Sequence, residues 1–343
     1  MNRYDEDSIG VRPNRANSRR RSKDRPDFSE APVGQVVTVD RGRITCVYPL
    51  GVPHEEQTTV IAVKARELGR KGAVVGDRVR LVGDLTGAVD SLARLVEILD
   101  RDTVLMRTAD DSDPVERVIV ANADQMAIVV AAANPEPRIG LIDRALVAAF
   151  EAGLDALLII TKVDVANAQS IIDNYSTMDL KFIAVNQKTG DGIDDVKTAL
   201  KDRITVFVGH SGVGKSTLVN SLVPNAHRVT GDVNDVTGRG KHTSTSAIAL
   251  ALPHDTGWVI DTPGIRSFGL AHVNPSDIIE SFPELVAGAD ECPRACTHVN
   301  DAGQAPPDCA LDDWAAAGNA GESGPARLES LRRLLVALQT PSS

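Results

Sequence analysis

An α/β architecture, with an all-β barrel ahead of it and a small, partly helical segment behind it, follows from three observations. From Gln125 onward, apolar strand-like runs alternate with amphipathic stretches, as in a parallel sheet with covered faces. Between residues 33 and 104, five short β-branched segments separated by Gly, Pro and Asp follow one another, which is the pattern of a small barrel. After Phe268 the composition turns to Pro, Cys and Asp, with little periodicity until a helical pattern near the end.

Taken in order, residues 1–32 are polar and basic: the first 26 hold eight Arg or Lys against four acids, in a chain whose net charge is −10. So little apolar content predicts a disordered basic tail, either a solubilising extension or an arm that contacts RNA. The barrel strands are expected at Val36–Val39, Arg43–Val47, Thr59–Val63, Arg78–Val82 and Leu92–Leu99, with an OB-fold as the leading candidate. Lys64, Arg66, Arg70, Lys71, Arg78 and Arg80 form a basic cluster there, readable as a solvated face or as an RNA-binding one.

In the α/β part, strands are expected at Gln125–Ala132, Ala156–Ile160, Phe182–Val185 and Val206–Val208, and helices at Leu141–Ala152, Ile193–Leu200 and Lys215–Leu222. Pro325 opens the last helix, with Leu328, Leu331, Leu334, Leu335 and Leu338 on one face. At 343 residues the chain has room for two or three domains. Its central apolar run, Met126–Ala133, is far short of the roughly 18–20 residues a membrane span needs. No apolar stretch follows the Arg and Ser of the N-terminus, so no secretory signal, no membrane association and a cytoplasmic setting are expected. Four cysteines do not suggest a disulfide framework.

The chemistry lies in the loops. Gly209, His210, Ser211, Gly212, Val213, Gly214, Lys215 and Ser216 match GxxxxGKS between an apolar strand and a helix. Such a loop turns backbone N–H groups inward around phosphates, and the helix N-terminus adds favourable charge. Lys215 is expected at the β and γ phosphates, Ser216 on Mg²⁺, and Thr217 near the α-phosphate. Asp261-Thr262-Pro263-Gly264 follows a short apolar run; Asp261 then faces the metal, directly or through water, and the Gly264 N–H the γ-phosphate.

Thr161-Lys162-Val163-Asp164 is a variant of the guanine-reading NKxD sequence, with Thr in the place of Asn. The Asp164 carboxylate can accept from the ring N–H and exocyclic amine of guanine, a donor pair adenine lacks. This selects GTP and GDP over adenine nucleotides. Asn186 and Gln187 stand where a loop backing the guanine would lie, but a surface turn reads equally well. The glycine-rich stretch from Arg228 to Ser246 reads as a switch loop, with Thr243, then Thr245, as the hydroxyl for Mg²⁺ and γ-phosphate. Ile265 occupies the place where many GTPases carry a water-orienting Gln, so slow intrinsic hydrolysis completed by a partner is expected. His242 is a candidate for positioning water; a loop His without a role is the other reading.

Cys292, Cys296, His298 and Cys309 supply three thiolates and one imidazole within eighteen residues, enough for a closed tetrahedral Zn²⁺ site. The base-reading loop precedes the phosphate loop, the reverse of the ordinary GTPase order, so the nucleotide domain is circularly permuted. Asp261–Gly264 then closes that domain and leads straight into the Cys-rich segment, which predicts that the GTP-bound form binds its partner more tightly than the GDP-bound form.

With Ala121-Asn122-Ala123-Asp124-Gln125, Ala131-Ala132-Ala133-Asn134-Pro135, GHSGVGKS, GRGKHTST and DTPGIRSFG in this order, the chain resembles the RsgA family of small-ribosomal-subunit-dependent GTPases. The resemblance covers about residues 33–310. It implies an OB-fold barrel (33–104), a circularly permuted P-loop GTPase domain (113–270) and a zinc-binding, partly helical domain (271–343), after the 1–32 tail. It also implies GTP hydrolysis stimulated by the small ribosomal subunit and binding to that subunit's rRNA late in its maturation; a monomer is expected. The long gap before Cys309, the short one from Cys292 to Cys296 and the loop at Asn186 depart from the family pattern. An RNA-binding module with a structural nucleotide site, or a P-loop ATPase or kinase, are the competing readings.

Overall fold

The protein is described by a computed structural model over residues 27–40, 42–69, 72–108, 116–178, 180–223, 247–262, 270, 273–300 and 303–339. The chain divides into Met1–Glu30 and Ala31–Ser343. In the first, the described residues are 27–30, where the Ser29 N–H donates to Asp27 Oδ1 at 2.9 Å; residues 1–26 of the expected tail lie outside the described residues.

The barrel strands are β1 (Val33–Asp40), β2 (Arg43–Tyr48), β3 (Thr58–Lys64), β4 (Arg78–Gly83) and β5 (Ala93–Ile98). They pair in the order β1-β2-β3-β5-β4, and β4 returns to β1 to close the barrel. Alternation decides what faces inward: Val36, Ile44, Cys46, Val60, Ala62, Val79, Leu81, Ala93 and Leu95 make its core. Burial pushes the Cys46 thiol up to about 12, so it serves as a small apolar residue. The basic cluster is partly neutralised internally. Arg78 pairs with Asp102 at 2.5 Å and Arg80 with Glu97 at 3.1 Å, Arg66 is exposed, and Arg70 and Lys71 lie outside the described residues.

A hairpin, β6 (Val104–Thr108) and β7 (Glu116–Ala121), follows; sequence periodicity misses it because the polar run 110–113 and Pro114 interrupt the pattern. The α/β part contains β8 (Gln125–Ala131), α1 (Ile139–Glu151), β9 (Asp155–Thr161), α2 (Gln169–Tyr175), β10 (Lys181–Val185), α3 (Ile193–Leu200), β11 (Arg203–Val208), α4 (Lys215–Leu222), β12 (Ile248–Ala251) and β13 (Gly257–Asp261). The strand order is β10-β9-β8-β11-β13-β12. All pairs are parallel, as expected, except β12–β13, where the five residues 252–256 leave room only for an antiparallel return.

Every residue of β8 is buried, as both-face coverage demands. Met126, Ile128 and Val130 pack with α1 and the C-terminal helices, whereas Ala127, Val129 and Ala131 pack with α3 and α4. The sheet does not stop at β12. Thr38 of β1 pairs with Ile248, so a continuous backbone ladder links the barrel to the strand that carries Asp261. His54 of the β2–β3 connection adds a second tie, its N–H donating to Asp255 Oδ1 at 2.7 Å and its ring standing edge-on to Trp258.

The C-terminal region holds α5 (Pro275–Ile279), α6 (Pro283–Asp290), α7 (Leu311–Ala316) and α8 (Gly324–Gln339). Three of these are too short to show periodicity. Local chemistry starts two of them: Asn274 accepts from the Ser276 N–H, and Pro275 and Pro283 occupy first-turn positions. Helix α8 buries Leu328, Leu331, Leu334 and Leu335, each worth about 1.5–3 kcal/mol on full burial. Among the described residues no helix is long and apolar enough to cross a membrane.

Candidate functional site

The motif residues gather at the C-terminal ends of the parallel strands, where open α/β sheets bind ligands. Strand β11 runs into Gly209–Gly214, and α4 starts at Lys215. Glycine is required twice in this turn. A Cβ on Gly209 would sit 2.5 Å from the Val129 carbonyl oxygen, so the loop can leave β11 only by passing hard against β8. Gly214 caps the helix at φ 91°, and a Cβ there would meet the Gln187 side chain. No side chain caps α4, leaving its first N–H groups for an anion.

Asp261 ends β13 in register with Phe207 of β11. Its carboxylate pairs with the Lys215 ammonium across the loop mouth, both side chains being largely buried. The site thus sets one cation and one anion side by side, as a triphosphate with its divalent metal requires. The Thr262 hydroxyl donates to the Phe207 carbonyl at 2.7 Å and holds the two strand ends together. Ser216 and Thr217 are exposed on the first turn of α4, and the His210 ring bonds its neighbour's carbonyl, Ser211 O, at 2.9 Å.

Thr161 ends β9 between Ala131 of β8 and Val185 of β10. It is wholly buried, and its hydroxyl lies 2.5 Å from Val213 O in the phosphate loop and 3.0 Å from Val130 O. Threonine therefore ties the loop after β9 to the loop after β11. Lys162, at φ 56°, reaches the Asn134 carbonyl, and Val163 packs on the main core. Asp164 pairs with Lys188 at 2.6 Å, and that hydrogen bond holds its carboxyl below the usual carboxylate range.

Of the two residues read as an open choice, Gln187 donates to the Gly214 carbonyl at 2.8 Å. Asn186 instead folds its own turn, accepting from Lys188 N and Thr189 N. Sequence reasoning missed the contacts of Gln187, Lys188 and Asn134. A polar residue in a loop after a strand was the available signal, but partners some thirty residues away cannot be read from one segment. His242, Thr243, Thr245, Pro263, Gly264 and Ile265 lie outside the described residues.

The second site is a cluster of Cys292, Cys296, His298 and Cys309, whose ligand atoms lie within 4.8 Å of one another. His298 Nδ1 is 3.6, 3.7 and 3.8 Å from the sulfurs of Cys292, Cys296 and Cys309. A tetrahedron with zinc bond lengths has N···S edges of about 3.6 Å, so the donor set fits. The spacing that departs from the family pattern is absorbed by turns: Cys296 N bonds Pro293 O, Cys309 N bonds Pro306 O, and His298 sits at φ 59°. Burial, then the nearby Arg332 charge, lowers the pKa of His298 and favours the neutral, ligating imidazole. Burial pushes the Cys292 thiol up to about 11.

Residues 98–271 match the RsgA GTPase family. A Vibrio vulnificus protein named small ribosomal subunit biogenesis GTPase RsgA 1 is 31% identical over 301 residues, 85% of this chain and 84% of that one. A Pseudomonas aeruginosa protein, small ribosomal subunit biogenesis GTPase RsgA, is 40% identical over 227 residues, 64% of each chain. Among solved structures, YjeQ from Thermotoga maritima is similar with a TM-score of 0.62 and 25% identity, covering 90% of this chain and 98% of its own. YloQ, described as a circularly permuted GTPase, shares the fold at a TM-score of 0.61 and 20% identity, covering 93% of this chain and all of its own.

Proposed function

This chain belongs to the RsgA GTPase family, and from that premise we propose that it hydrolyses GTP to GDP and phosphate in the maturation of the small ribosomal subunit, whose binding stimulates turnover. One observation carries the reading. The phosphate loop, the Asp261 strand end and the Asp164 loop converge at one edge of a single sheet, with Thr161 and Gln187 joining base side to phosphate side.

In this reading Gly209 to Gly214 offer backbone N–H groups to the phosphates, and Lys215 balances charge on the β and γ groups as the bond to the leaving GDP breaks. Ser216, Asp261 and Thr243 are the groups for Mg²⁺, which would neutralise charge on the phosphates. Gly264 touches the γ-phosphate, His242 positions water, and Thr217 flanks the α-phosphate. Thr161, Lys162, Val163 and Asp164 build the guanine pocket, Asp164 accepting from the base. Cys292, Cys296, His298 and Cys309 hold Zn²⁺, which would replace the missing regular structure around residues 291–310 as a staple. The domains divide at 1–32, 33–104, 113–270 and 271–343, and the protein works as a cytoplasmic monomer that contacts rRNA.

Turnover of GTP by the purified protein, alone, with isolated small subunits and with large subunits, tests this. Acceleration by small subunits only is expected; equal rates in all three conditions would refute the proposed dependence, and preference for ATP would refute the base assignment.

A further inference from the structure

We propose that Arg332 of α8 is a positioning residue for the metal ion held by Cys292, Cys296, His298 and Cys309, an inference that rests on the reading of that cluster as a zinc site. Three thiolates and a neutral imidazole around a divalent cation carry one net negative charge, which is costly to place against a core unless donors meet the sulfurs. Two sulfurs are met by backbone: Ala310 N donates to Cys292 Sγ at 3.3 Å and His298 N to Cys296 Sγ at 3.4 Å. The third, on the buried Cys309, is met by Arg332 Nη2 at 3.7 Å. The same guanidinium donates Nε to the His298 carbonyl at 3.1 Å. It therefore touches two of the four ligand residues and brings a charged donor to the third sulfur.

Asp312 fixes this fork, accepting from Nη1 and Nη2 at 2.7 Å each. The planar guanidinium makes these four hydrogen bonds from three nitrogens, whereas a lysine ammonium has three donors on a single nitrogen and cannot reproduce the fork. The next residue, Arg333, faces other partners: it donates to the Asn174 carbonyl at 2.8 Å, lies 3.3 Å from Asp143 Oδ1 and stacks over Tyr175. Helix α8 thus ties the metal loop to α1 and α2 on the nucleotide side.

The test is zinc affinity of the full-length protein, measured by competition with a chromophoric chelator, for wild type, Arg332→Ala, Arg332→Lys and Asp312→Asn. Loss of an outer partner of a metal ligand costs about 10–100-fold in affinity; that loss is expected for Arg332→Ala, with smaller losses for the other two. The metal-free proteins should melt alike and only the zinc-loaded ones differ. With cobalt(II) in place of zinc, the thiolate charge-transfer band should shift in Arg332→Ala. Wild-type zinc affinity in Arg332→Ala overturns the proposal, as does wild-type affinity in both Arg332→Lys and Asp312→Asn should the alanine variant not fold. A wild-type protein that takes up no zinc overturns the zinc reading instead.

Discussion

The two sites are built on opposite principles. Around the nucleotide loops, Thr161, Val208 and Asp261 are the last residues of buried strands in hydrogen-bonded register, so the ladder sets their positions before any ligand arrives. Around the cysteine cluster, Cys292 follows α6, Cys296 and His298 lie in turns, and Cys309 precedes α7. No sheet reaches them. Positions supplied by a ladder cost little to hold, whereas positions supplied by turns would depend on the proposed ion and on a distant helix.

Metal removal probes this difference with the largest expected effect. A ligand at a thousand times its Kd stabilises the folded form by about 4 kcal/mol, so for a chain of 343 residues chelation should lower Tm by roughly 6 °C. Hydrogen exchange should rise across residues 291–310 while β8, β9 and β11 stay protected, followed by mass spectrometry with and without chelator. Equal loosening of the strands would break the comparison.

Lys215→Ala probes the other side. Removing a charged donor from a preorganised site costs about 10²–10³ in rate, so GTP turnover should fall by that factor. Zinc content should change little, because the cysteine cluster is held by other elements, whereas Tm should fall, because Asp261 is left without its partner in a largely buried position. A fall in zinc content would mean that the two regions are not independently held.

What the sequence made legible follows the same division. The α3 and α4 boundaries and the five barrel strands were readable because periodicity and glycine loops are local signals. Hairpin β6–β7, strand β12 and helices α5 to α7 were not, being four to eight residues long and defined by partners elsewhere. The cysteine set was visible as residue types, but Arg332, twenty-three residues beyond Cys309, bears no motif. The continuity of the sheet was also hidden. The permuted order makes Asp261 adjacent in sequence to the Cys-rich segment, yet in space β13 pairs with β12, and β12 with β1 of the barrel. Any displacement of Asp261 therefore has a backbone route to the barrel as well as to the C-terminal region.

The smallest expected effect concerns Thr161, where the base-reading motif carries a hydroxyl instead of an amide. Its one proton has the Val213 carbonyl at 2.5 Å as nearest partner, in a wholly buried position. Thr161→Val keeps the shape of the side chain but leaves that carbonyl unsatisfied, at a cost of about 1–3 kcal/mol. Part of that cost falls on the phosphate loop, so GTP affinity should weaken by about tenfold, measured by equilibrium binding, while Thr161→Ser stays near wild type. Unchanged affinity in Thr161→Val would show that Gln187 and the packing of Gly209 on β8 suffice to hold the loop, and that the strand-end principle needs no side-chain brace on its base side.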